Sequence, residues 1–347
     1  IKNIYSGYRK NINKSLWIIG GAMINKNFSI RTDLAMEACE LLNTEKDIID
    51  GIKSKTKSDN DIEVTCVEIY NENGSNTVGK PVGKYITVES SKMRENDTDF
   101  KERVIKETAD MLAELIKPNK YKNILIAGLG NRFITPDSLG PKVISKVLVT
   151  RHIKDTLPKN IDDNVASVSA ISPGVMGITG IETGEILAGI VDKIKPDLLI
   201  AIDALAARKF SRVNSVIQMT DSGISPGSGV GNKRMTLDKH SLGIPVIAIG
   251  VPTVVDAATL VNDTMDRILE AMAAASDDKM FYDMLNNIDG EERYKLINDL
   301  LTPYAENMFV TPKEVDAVID RLADIISNAI NIAVHPALSI NDINKYI

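Results

Sequence analysis

ILIAGLGNRFITPDSLGP, residues 124–141, is the stretch on which the fold turns. It opens with an uninterrupted apolar run, as a buried strand does, and passes into a glycine turn ahead of a helix. Such a unit begins a dinucleotide-binding fold when the glycines continue as G-x-G-x-x-G. Here they stop at Gly130, Phe133 stands at the third position, and the loop goes on to Thr135, Pro136 and Asp137. Without the third glycine the fingerprint loses its close helix–strand packing. A carboxylate also stands where an anion would have to bind. The loop therefore reads as a carrier for Asp137.

Working outward, strands and helices alternate. SLGPKVISKVLVTRHI (138–153) predicts one helix, which Asp137 or Ser138 can cap. VASVSAI (165–171) predicts a strand, GEILAGIVDKI (184–194) a helix ending before Pro196, and DLLIAIDAL (197–205) a second continuous apolar strand. VNSVIQMT (213–220) and IPVIAIGVP (244–252) follow as further strands. On the other side, residues 43–61 read as polar surface. IEVTCVEIY (62–70) and YITVES (85–90) read as strands of an antiparallel hairpin, joined by the turn-rich NENGSNTVGKPVGK (71–84). Val104, Ile105, Met111, Leu112, Leu115 and Ile116 recur at helical spacing within 97–117. Residues 273–312 read as a helical insertion, and 312–334 as an amphipathic helix with Pro312 near its first position.

This order predicts an α/β fold with a mainly parallel or mixed sheet covered by helices on both faces. Ligands of such sheets bind outside the carboxyl ends of the strands. That edge is expected to gather the loops around Asp137, Pro173, Asp203, Pro226 and Pro252. The echo of ISPGVMG (171–177) in ISPGSGVG (224–231) reads as two loops of similar geometry.

Composition narrows the partners. The 347 residues carry a net charge of −6, which argues against direct nucleic-acid binding. No stretch approaches the roughly 20 apolar residues of a membrane span. Lys2, Arg9, Lys10 and Lys14 precede the apolar LWIIGGAM (16–23), a run short for a secretion signal. Met23 is expected to be the true start, and the location cytoplasmic. Cys39 and Cys66 read as buried free thiols. Three histidines are thin material for a metal site, and no metal or cofactor is expected.

Two carboxylates carry the chemistry. Asp137 follows the first apolar strand, where capping of the next helix is the plain alternative. Asp203 closes the apolar run of the later strand, where the alternative is a buried cap. Carboxylates forced together at one sheet edge cannot both ionise easily, so one residue type supplies an acid and a base. DSGISPGSGVGNKR (221–234) reads as a substrate-binding or lid loop in preference to a phosphate cradle. His240, a lone histidine nearby, reads as a surface or packing residue.

The motifs GLGN…TPDSLGP, AISPGVMGITGIETGEI, AIDALAAR, DSGISPGSGVGNKR and GVPTVVDA resemble the germination proteases of spore-forming bacteria. The likeness runs from SIRTDLAMEA to GVPTVVDAATL, most of the chain. It implies an endopeptidase that degrades small, acid-soluble, DNA-protecting spore proteins in the spore core during germination. It also implies a fold related to the hydrogenase maturation proteases, and an inactive homotetrameric zymogen that trims its own N-terminus. The family's two essential aspartates fall on Asp137 and Asp203. Its substrates are cut after an acidic residue that precedes an apolar residue and then Ala. RTDLAME (31–37) has that form, so cleavage is expected between Asp33 and Leu34. Residues 1–33 are then extension and propeptide, and 34–347 one peptidase domain. Thr135 and the loops around Gly174 and Gly229 are the expected substrate-loop and oxyanion candidates. Arg132 departs from the bulkier aromatic expected there, and residues 1–22 have no counterpart in the family. Two other functions fit the same residues less well: a metal-assisted maturation peptidase, and a non-enzymatic module holding an anionic ligand.

Overall fold

The computed structural model describes residues 32–40, 50–117, 120–156, 165–227, 234–275, 297 and 308–336. Among the described residues nine strands form one mixed sheet. In chain order they are β1 (Ile52–Asp59), β2 (Ile62–Ile69), β3 (Gly83–Glu89), β4 (Asn123–Gly128), β5 (Ser167–Ile171), β6 (Leu198–Ala207), β7 (Val216–Thr220), β8 (Val246–Asp256) and β9 (Phe309–Val310). Their spatial order is β1-β2-β3-β7-β8-β6-β4-β5, with β9 pairing β8. β8, β6, β4 and β5 run parallel, while β1, β2, β3 and β7 form an antiparallel half that joins β8.

The α/β class and mixed sheet stand as the sequence predicts. Ten helices accompany the strands among the described residues: α1 (Ala35–Glu40), α2 (Glu72–Val78), α3 (Thr98–Ile116), α4 (Leu139–Ile144), α5 (Arg151–Thr156), α6 (Met176–Thr179), α7 (Thr183–Ile194), α8 (Lys239–Leu242), α9 (Ala257–Ala275) and α10 (Val315–Val334).

Several boundaries differ from expectation, each for a local reason. The polar stretch 43–61 contains β1, whose residues after Ile52 are all exposed; it is held by its ladder to β2, so no apolar alternation betrays it. The turn-rich 71–84 contains α2, capped by the Asn71 side chain and closed by Gly79 in the left-handed region. The single helix expected over 138–153 is two, α4 and α5. α10 starts at Val315 after Glu314, which leaves Pro312 outside the helix. Of the expected insertion, 276–296 and 298–307 lie outside the described residues. Cys39 and Cys66 are half-buried free thiols, less enclosed than expected.

Alternation divides the core between the two faces of the sheet. Ile124, Ile126, Ile200, Ile202, Ile217, Met219, Ile247 and Ile249 pack on one face with α3, α4 and α10. α10 is buried along one side by Val318, Ile319, Leu322, Ile326 and Ile330, the stripe expected of a core-facing helix. On the opposite face Leu125, Ala127, Leu199 and Ala201 pack with Leu187 and Val191 of α7 and with Leu237 and Leu242. Asp203, Leu205, Val216 and Gln218 continue this second face by the same alternation. Leu34 and Met36 cover Leu205 and Val216 there. Ala35 covers Val67, Ile69 and Tyr85 farther along.

Candidate active site

The opening motif uses its glycines for close packing. A Cβ at Gly128 would stand 2.2 Å from the Gly140 carbonyl oxygen, so this glycine lets α4 sit against the end of β4. Gly130 has φ +102, and a Cβ there would stand 2.1 Å from the Asp137 carbonyl oxygen. The chain folds back through a 3-10 turn, Thr135–Asp137, onto its own glycine. Asp137 caps no helix: Ser138 holds the N-cap position of α4, and the Asp137 carboxylate accepts the Asn131 N–H at 2.7 Å.

Asp203 lies within β6, one residue past the point where β4 stops pairing at Ile202. It is 5% exposed and accepts the Ala204 N–H at 2.9 Å. Burial pushes its carboxyl well above the ordinary range, and the charges of Asp137 and Asp33 push it further. Burial also raises Asp137, against the Asn131 N–H and the positive charge of Arg234. Both aspartates thus stand within electrostatic reach of each other and of Arg234. Asp203, the more buried of the two, is pushed up further than Asp137.

The segment Thr32–Glu37 is docked at the same place. Past Ile202 β6 has no β4 partner, and Asp33 takes up the backbone there. Asp33 N donates to Ala206 O at 3.1 Å, and Ala206 N donates to the Asp33 carboxylate at 2.9 Å. Gln218 spans the next bonds: its Nε2 donates to Asp33 O at 3.1 Å and its Oε1 accepts from Ala35 N at 2.7 Å. Lys80 Nζ donates to Thr32 O at 3.0 Å. Leu34 and Ala35 are fully buried. Glu37 accepts from Arg208 N at 2.7 Å and Lys209 N at 3.0 Å. Arg212 pairs with Glu37, Glu40 and Glu89 at 3.4, 2.6 and 3.4 Å.

The remaining candidates are placed elsewhere or left out. The Thr135 hydroxyl donates to Asp316 of α10 at 2.8 Å, so it is committed away from the aspartates. Gly174 has φ +77 after β5, and its carbonyl accepts from the Thr183 hydroxyl at 3.1 Å. Gly229 lies outside the described residues. His240 is exposed on α8. Pro252 lies inside β8 and forms no loop. β7 runs antiparallel to β8, so its carboxyl end, before Pro226, falls at the opposite edge from that of β6. The chain returns through the backbone pair of Ile224 with Leu237, and Arg234 of that returning segment faces the carboxylates. Among the described residues no group of three or more His, Cys, Asp and Glu could hold a metal ion. None of their helices is long and apolar enough to cross a membrane.

Sequence reasoning missed Gln218, Lys80 and the positive charge that Arg234 brings to the two carboxylates. Gln218 left one trace, a lone amide in the apolar strand VIQMT. Lys80 left none.

The sequence pattern of the germination protease family matches residues 31–279 and 269–347. The germination protease of Clostridium acetobutylicum is 51% identical over 324 residues, spanning 92% of this chain and 99% of the relative. That of Caldanaerobacter subterraneus subsp. tengcongensis is 48% identical over 92% of this chain and 98% of the relative. The Bacillus pumilus germination protease is 41% identical over 92% and 97%. Among solved structures, the [NiFe] hydrogenase maturation protease HycI of Thermococcus kodakarensis KOD1 aligns with TM-score 0.31 and 16% identity, over 63% of this chain and 97% of that one. An α/β frame that brings two carboxylates together belongs here to a peptidase. The chain is a member of the germination protease family, whose role is proteolysis in spore germination.

Proposed function

We propose that this chain is an aspartic-type endopeptidase that first trims itself between Asp33 and Leu34. The observation that carries the reading is the docking of Thr32–Glu37 on β6, with Asp33 bound to Ala206 three residues from Asp203. In the mechanism the proton shared by the pair rests on Asp203, the more deeply buried carboxyl. Asp137, ionised, takes a proton from water as its oxygen adds to the Asp33 carbonyl carbon. The C–N bond to Leu34 then breaks, and the leaving amine takes the proton that Asp137 removed from water, which restores the Asp137 carboxylate. Arg234 keeps the pair from becoming fully neutral. No metal and no cofactor take part.

Residues 1–33 act as extension and propeptide, and 34–347 as the peptidase domain. The substrates are the small acid-soluble spore proteins of the spore core, and the zymogen is a homotetramer. The docked segment presents an acidic residue, an apolar residue and Ala in the order those substrates carry, which supports the assignment.

The test is mass spectrometry of the full chain during incubation. Trimming should yield Leu34 as the new N-terminus, at an undiminished rate in excess chelator. Asp137→Asn and Asp203→Asn should each abolish it, a loss of at least about 10³-fold for a lost acid or base. A different N-terminus, or full trimming by either variant, would sink the reading.

A further inference from the structure

The sheet register puts a third group into the reaction. Asp203 on β6 pairs with Gly250 on β8, and Gly250 pairs with Gln218 on β7. Residues paired across a sheet point their side chains to the same face. Asp203 and Gln218 therefore rise from one face, two strand spacings or about 10 Å apart. Between them β8 carries a glycine. The Leu205 side chain of β6 fills the space over that glycine, where a Cβ would stand 2.4 Å from its Cδ1. The chain on this face is Asp33–Ala35, anchored by Asp33 to Ala206 and packed through Leu34 on Leu205 and Val216.

Gln218 holds this chain on both sides of one peptide bond. Its Nε2 donates to the Asp33 carbonyl, and its Oε1 accepts from the Ala35 N–H one residue beyond. The amide is fixed in orientation by the second bond: rotated by half a turn, it would oppose donor to donor and acceptor to acceptor. The side chain is buried, 6% exposed, where a fixed dipole acts with little competition from water.

We propose that Gln218 is a catalytic residue, the donor that stabilises the oxyanion formed on the Asp33 carbonyl and on the matching carbonyl of protein substrates. This rests on the reading of Asp33–Leu34 as the scissile bond. Water adds to the carbonyl carbon as Asp137 removes its proton, and the carbonyl oxygen takes the negative charge. The Gln218 N–H bond to that oxygen then strengthens, because its acceptor is now ionic. When the oxyanion collapses to a carbonyl the C–N bond breaks, and Leu34 leaves as an amine with the proton that Asp137 took from water. The Oε1 bond keeps the residue two beyond the cut in register. Gln218 thus does for this site what Thr135, committed to Asp316, does not.

The test uses the full chain. Gln218→Met, of similar length but without donor or acceptor, should trim about 10²–10³-fold more slowly, as expected for a lost oxyanion donor. Gln218→Glu keeps the acceptor for Ala35 N–H but, once ionised, has no donor. It should be slow at neutral pH and gain on wild type as the pH falls, when its protonated carboxyl can donate. For the peptide IRTDLAMEA the recovery should appear in kcat, whereas a residue that only clamps the segment would recover KM alone. Trimming by both variants within threefold of wild type overturns the proposal. A Gln218→Glu rate that parallels wild type at every pH does so too.

A second arm leaves the enzyme unaltered. The wild-type chain is given the peptide IRTDLAMEA, residues 30–38, and its analogue N-methylated at the Ala35 nitrogen. Cleavage of the analogue should fall at least tenfold in kcat/KM, and equal cleavage overturns the proposal even if the variants fail to fold. Asp137→Asn and Asp203→Asn run beside these. Activity in either overturns the two-aspartate reading, whereas their inactivity together with a fast Gln218→Met isolates the failure to Gln218.

Discussion

Gly130 joins a backbone conformation to the proposed reaction. Its φ of +102 and its contact with the Asp137 carbonyl leave no room for a methyl group. Gly130→Ala should push the 3-10 turn away and displace the Asp137 carboxylate. A shift of about 1 Å at a catalytic group costs on the order of 10²-fold, so trimming should slow by about that factor while the fold persists. The rate of appearance of Leu34, compared with the thermal melting point, checks this. At this scale the sequence was informative where chemistry and strand position coincide. Asp137 and Asp203 each interrupt or close an apolar run, and a buried carboxylate is conspicuous there. Gln218 was not legible, because its meaning comes from a row across three strands distant in sequence. Lys80 and Arg234 were obscured for the same reason: their partners are chosen by the tertiary fold.

At the scale of elements, α1 is held less by its six residues than by what surrounds Arg212. Burial alone would raise the Glu40 carboxyl, but hydrogen bonds from Arg212 and Lys209 bring it down to about 2. Arg212 itself is largely buried among Glu37, Glu40 and Glu89. Removing one partner of a buried network leaves uncompensated charge, so Arg212→Ala should destabilise the chain by about 3 kcal/mol. Urea unfolding measures the loss, and hydrogen exchange should show Leu34–Glu40 opening first. Because the Glu40 pKa is depressed, its contribution is present above the ordinary carboxylate range and is lost as the pH falls toward about 2. The elements differ in how plainly they were written. β6 and β8 are continuous apolar runs and were readable at once. β1 is legible only through its partner, since IKSKTKSD has no buried side to alternate with. α2 had its signals, Asn71 before it and Gly79 after it, but they lie among residues that equally favour a turn.

For the whole molecule, one buried histidine sets a pH limit. His335 is fully buried at the end of α10, and burial, with Lys154 nearby, pushes it down to about 4. In the unfolded chain it titrates near about 6.5. Between those values the unfolded state binds the extra proton, so stability falls as the pH drops from about 6.5 towards 4. The loss is on the order of 3 kcal/mol, because each tenfold weakening of proton affinity on folding is worth about 1.4 kcal/mol. His335→Phe should flatten that part of the pH–stability curve relative to wild type, as measured by denaturant midpoints at about pH 4.5, 5.5 and 7. The full burial of Leu34 carries a different consequence. Under the proposed cut, a neutral amide in a dry cleft becomes an ammonium group, and Asp33 gains a second carboxylate beside Asp203. Neither product charge can rest where the uncut chain lay. Trimming would therefore act as a ratchet: the chemistry that ends the segment's tenancy also drives it out, and the enzyme clears its own cleft for the next chain.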